Sequence, residues 1–82
     1  MNLHASSDNQ AERARVKGKA IYRKLLPSFK KEGVKAGLFV AINIETGKYV
    51  VAESRLDLMQ SYKEQFGHAP GWVSRVEYQK DE

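Results

Sequence analysis

Cysteine is absent from this 82-residue chain, and histidine, tryptophan and proline are scarce, at two, one and two residues. The first absence excludes disulfides, thiolate zinc sites and thiol catalysis, disfavours a bridge-stapled secreted scaffold, and points to the cytoplasm. His4 and His68 are far apart and lack supporting carboxylates, whereas zinc and iron sites need three or four converging ligands. Apolar runs such as Leu38 to Ile42 fall far short of the roughly 20 residues of a membrane span. The polar N-terminus has no signal-peptide apolar stretch. The six glycines are scattered and make no Walker or dinucleotide pattern, so no nucleotide cofactor, and no cofactor of any kind, is expected.

What is present is an ordinary globular composition, 41% hydrophobic and 29% charged. A chain this short buries only about 60 to 65% of its unfolded surface and supports one core. Its net charge of +4 is unevenly spread. Between positions 13 and 35, Arg13, Arg15, Lys17, Lys19, Arg23, Lys24, Lys30, Lys31 and Lys35 face Glu32 alone, a local balance of about +8. The other residues sum to about −4.

Residues 1–10 read as a flexible polar lead-in, or as a helix cap at Ser7 or Asp8. Ala11, Ala14, Gly18, Ile21, Leu25 and Phe29 then recur at three and four, which predicts one helical stripe. Pro27 removes a backbone donor and restricts Leu26, so the helix should end or kink near Leu25. A strand is expected over Leu38 to Ile44, with Leu38, Val40, Ile42 and Ile44 on the core face and Phe39, Ala41 and Asn43 opposite. A Glu45-Thr46-Gly47 turn, with Gly47 at positive φ, returns the chain antiparallel through Lys48 to Ala52. Ser54 and Asp57 make a capping pair for a second helix whose apolar stripe reads Leu56, Met59, Tyr62 and Phe66, closed by Gly67. Trp72 to Tyr78 is a third strand, and residues 79–82 should fray. The reading is a single α+β domain over 11–78, in the order helix, strand, strand, helix, strand. Its three-stranded sheet is expected to carry both helices on one face.

Tyr22, Leu26-Pro27, Gly37, Phe39-Val40-Ala41-Ile42, Thr46-Gly47, Tyr49, Trp72 and Arg75-Val76 together resemble an uncharacterised family of short prokaryotic proteins, over about residues 17 to 78. The chain departs from that pattern at His68-Ala69-Pro70, where members have Pro-x-Ala, and at Glu77, where they have Gly. The resemblance implies a domain looking like the small partner in toxin and antitoxin-like or protease-like gene pairs.

The residues themselves carry little catalytic promise. Ser61 or Ser74 with His68 lacks an elbow, an oxyanion donor and a third orienting group. Glu53 and Asp57 are close in sequence, but Asp57 is explained by capping. The expectation is therefore a non-catalytic binding protein, an antitoxin-like or regulatory partner of another protein, or a homodimer. Phe39 and Val50, on the strand face away from the helices, and Trp72, as an interface anchor, would form its protein-binding surface. The alternative is an RNA- or DNA-binding module using the basic first helix. On a helical wheel Arg13, Lys17, Lys24 and Lys31 share one flank, Arg15, Lys19, Arg23 and Lys30 fill the rest of the polar arc, and the apolar stripe lies opposite. A membrane-surface role is disfavoured, because that stripe holds Ala14 and Gly18 where large anchors are needed.

Overall fold

The computed structural model describes residues 3–78, with side chains from residue 11 onward. Helix α1 covers Leu3–Glu32, strand β1 Phe39–Asn43, strand β2 Tyr49–Ala52, helix α2 Arg55–Phe66 and strand β3 Gly71–Arg75. The α+β class and the element order are those expected. The backbone is already helical from Leu3, so the chain does not cap at Ser7 or Asp8. The rest of the expected lead-in, residues 1 and 2, and the fraying expected at 79–82 lie outside the described residues.

The sheet order is β2-β1-β3, antiparallel at both junctions. β1 is therefore central, and α2 carries the chain across it from one edge strand to the other. The two helices lie on opposite faces, not on one. Val40 and Ile42 point into a cluster with Phe29 of α1, joined by Ile21, Leu25, Tyr49, Val51 and Trp72. Ala41 and Val50 point the other way into a cluster with Leu58 of α2, joined by Phe39, Ala52, Tyr62, Phe66 and Val73. Alternation along a strand forces the split, since both residue sets of β1 are apolar and each demands its own cover.

Helix α1 passes through Pro27 to end at Glu32. Proline costs the bond that its missing N–H would give to the carbonyl of Arg23, but Arg23 and Pro27 are both exposed, so the loss falls on the solvent side of the helix, where it costs least. On the inner side Leu25, Leu26 and Phe29 stay packed on the sheet and hold the last turns in line. The first residue of α1 buried among those with described side chains is Gly18. Its backbone lies so close to Trp72 that an added Cβ would sit 2.3 Å from the Trp72 Cβ and Cγ. At 1.5 Å per residue α1 is about 45 Å long, against about 17 Å for a five-residue strand, so its N-terminal part overhangs the sheet.

The hairpin is set by Asn43, which is buried. Its Oδ1 accepts from the N–H of Glu45 at 2.9 Å and of Thr46 at 3.3 Å, while its carbonyl accepts from Gly47 N–H at 2.7 Å. Gly47 has the positive φ anticipated, 83°. Ser54 Oγ accepts from Asp57 N–H at 3.1 Å to cap α2, and Gly67, at φ 65°, closes it through an N–H donated to the Lys63 carbonyl. The α2 stripe differs from expectation. Leu58, Tyr62 and Phe66 at i, i+4 and i+8 face inward, whereas Leu56 is 77% and Met59 46% exposed.

Candidate nucleic-acid interface

Eight cations of α1 were singled out by the charge run, and Arg13, Arg15, Lys17, Lys19, Arg23, Lys24, Lys30 and Lys31 are all exposed. Among the described residues the one ion pair is Arg15 with Glu12, at 2.9 Å and one turn apart on the overhanging part. An exposed pair of this kind contributes little and leaves the helix strongly positive. The sheet divides the arc into two flanks. Arg13, Lys17, Lys24 and Lys31 face solvent on one side of the packed stripe. Lys19, Arg23 and Lys30 line an open groove between α1 and β3.

That groove has a volume of about 800 Å³ and is bounded by Tyr22, Leu26, Pro27, Trp72, Ser74, Glu77 and Tyr78 besides the three cations. Arg75 also borders it, but its guanidinium lies over the Phe39 ring, 5.0 Å from the centroid, on the α2 side of the sheet. Glu77 is the groove's one acidic residue. Trp72 packs against Gly18 and, one turn further along α1, against Tyr22, whose ring centre is 5.7 Å away at a tilt of 59°. Tyr22 in turn is fixed from fifty residues away in sequence. Its hydroxyl donates to the Arg75 carbonyl at 3.1 Å and accepts from Glu77 N–H at 3.0 Å. Tyr78 is fixed likewise, its hydroxyl donating to the Val34 carbonyl. Burial pushes the Tyr78 phenol above its ordinary value of 10.0, with Tyr22 adding to the shift.

The groove borders β3 at Trp72, Ser74 and Arg75. Ile44 N–H donates to the Pro70 carbonyl and Val76 N–H to the Leu38 carbonyl, so the even-numbered residues of β3 bond to β1. Alternation then turns the N–H and C=O groups of Gly71 and Val73, and the N–H of Arg75, outward. Tyr22 satisfies the outward groups of Arg75 and Glu77 further along.

The other predicted site residues fare differently. Val50 is only 6% exposed and lies beneath Leu58, and Phe39 is half-buried in the same cluster under Arg75. The apolar patch expected of Phe39 and Val50 is therefore covered by α2 and is no free interface. Trp72 is half-buried against α1 and opens on the groove. His68 is exposed on the turn after α2, while Ser61 sits on α2 and Ser74 on β3; no hydrogen bond joins any two of them. Sequence reasoning missed the groove because Tyr22 and Trp72 are fifty residues apart. The available signal was Gly18, a glycine inside an apolar helical stripe, which marks a close approach.

No group of three or more acidic or histidine residues that could hold a metal occurs among the described residues, and no described helix is long and apolar enough to cross a membrane. Comparison with protein-family models, curated proteins and solved structures finds no match. A functional assignment therefore rests on the geometry.

Proposed function

We propose that this protein is a non-catalytic nucleic-acid-binding module that uses the exposed cationic arc of α1. The observation that carries the reading is that eight cations project from one helix into solvent, with only Glu12 paired to any of them among the described residues. Such an arc neutralises phosphates and releases their counterions, which gives salt-dependent and sequence-tolerant affinity. The test is fluorescence anisotropy of labelled single-stranded and duplex oligonucleotides over a salt series. Log affinity should fall linearly with log salt, with a slope of about −0.7 to −0.9 per phosphate contacted. Charge reversal of Arg13, Lys17 and Lys24 together should flatten that slope. Absent or salt-independent binding would overturn the proposal.

A second reading, a partner of another protein, draws on the outer face of α2, where Leu56 and Met59 are exposed. Under that reading Leu56→Asp with Met59→Asp abolishes capture of the partner while leaving oligonucleotide affinity unchanged, and the three charge reversals do the converse.

A further inference from the structure

We propose that the groove between α1 and β3 is a site for unpaired nucleotides, so that the protein prefers single-stranded RNA or DNA to duplex. This rests on the nucleic-acid reading above and adds the form of the ligand and the place where its bases lie. A surface serving only phosphates needs cations and nothing else, because a duplex shelters its base faces and presents its backbone. Here the cations Lys19, Arg23 and Lys30 overlook a floor of Leu26, Pro27, Trp72 and Tyr78. Ring and aliphatic surface beside positive charge is the combination that takes splayed bases and their backbone together.

The groove volume of about 800 Å³ lies within the roughly 300 to 1,000 Å³ of sites that enclose small ligands. That is space enough for single nucleotides. Lys19 and Lys30 are separated by about 16 Å along the helix axis, so contact with the backbone can continue on both sides of the aromatic floor.

The experiment compares anisotropy of a labelled 12-nucleotide single-stranded RNA, its DNA counterpart and the corresponding duplex, with emission of Trp72, the chain's sole tryptophan, followed in the same titrations. The single strands should bind about 10-fold or more tightly than the duplex, from stacking alone, and should quench or shift the Trp72 emission. Arg23→Glu with Lys30→Glu should remove that preference. Arg13→Glu with Lys17→Glu should lower all affinities and keep the preference. These positions are exposed, and circular dichroism establishes that the variants fold. Equal affinity for duplex and single strand with unaltered Trp72 emission would overturn the groove site and leave the nucleic-acid reading standing. No salt-sensitive binding to any oligonucleotide would overturn both. Tighter binding of polyglutamate than of the oligonucleotides would reassign the groove to acidic protein segments. A difference between the RNA and DNA arms tells whether the site reads the 2′-hydroxyl.

Discussion

Gly18→Ala sets two physical effects against each other, and the structure says which one wins. In an exposed helix the change stabilises by about 1 kcal/mol, because alanine is the better helix former. At Gly18 the new methyl would stand 2.3 Å from both the Cβ and the Cγ of Trp72 and 2.7 Å from Cδ2. The Trp72 Cβ is fixed by the backbone of β3, so no rotamer relieves the contact, and the helix must lift off the strand by more than an ångström. Overpacking of this kind costs about 1 to 3 kcal/mol. A contact with atoms this close to the backbone belongs at the upper end, which leaves a net loss of about 2 kcal/mol after the propensity gain. For a domain of this size the midpoint of thermal unfolding should fall by about 8 to 16 °C. The assay is thermal unfolding followed by far-ultraviolet circular dichroism, together with the emission spectrum of Trp72. Combining Gly18→Ala with Trp72→Val should recover part of the loss, since the two changes act on one contact. A single variant that is more stable than the parent, with an unchanged tryptophan spectrum, would refute the argument that α1 touches β3 here.

Leu58→Ala should cost about 2 to 5 kcal/mol in denaturant unfolding, because Leu58 is fully buried between α2 and the sheet. Leu56→Ala, two positions away and exposed, should stay within about 0.5 kcal/mol, and equal losses would mean that α2 is rotated from the orientation described. Asn43→Ala removes the acceptor for two turn N–H groups and should cost about 1 to 3 kcal/mol, with β2 amides losing hydrogen-exchange protection before those of α1. Tyr62 and Tyr78 should ionise above the ordinary 10.0: burial raises both, and the negative charge of Glu45 adds to the shift at Tyr62. A raised phenol favours the protonated folded state, so this contribution is complete below about pH 10 and is lost as pH rises through the folded values. Tyrosinate absorbance titrated alongside unfolding tests this, and ionisation of both at or below pH 10 with no linked loss of stability would contradict it.

The local features of the fold were legible because they are written in short-range chemistry. Asn43 to Lys48 and Ser54 to Asp57 carry turn and cap residues within hydrogen-bonding reach of their own backbone, and Gly47 and Gly67 occur where φ is positive. The helix faces were harder. Leu56 and Leu58 lie two positions apart, so either can begin a stripe ending in Tyr62 and Phe66, and only the sheet decides. Pro27 argued for a break, yet the packing of Leu25, Leu26 and Phe29 outweighs one lost hydrogen bond. The run Leu38-Phe39-Val40-Ala41-Ile42 contained the information that β1 is covered on both sides, since a strand apolar at every position is the mark of a central one. Choosing one face for the core hid this, and with it the burial of Val50. Of the candidate interface, the cations were visible as a charge run. The groove was not, because it needs the pairing register of β3 to bring Trp72 beneath Gly18.

The unpaired side of β3 also bears on how copies of this chain behave when concentrated. A free strand edge is a template for self-association, and proteins that keep one shield it with charge. Here Lys19, Arg23 and Lys30 line the groove that borders β3, and the Tyr22 hydroxyl occupies the outward groups of Arg75 and Glu77. Two copies approaching edge to edge would bring like charges together, and the repulsion is strongest where the Debye length is long, about 30 Å at 0.01 M salt against about 8 Å at 0.15 M. The side chains that would hold a ligand thus also act as gatekeepers against aggregation, and neutralising them would cost colloidal stability as well as binding.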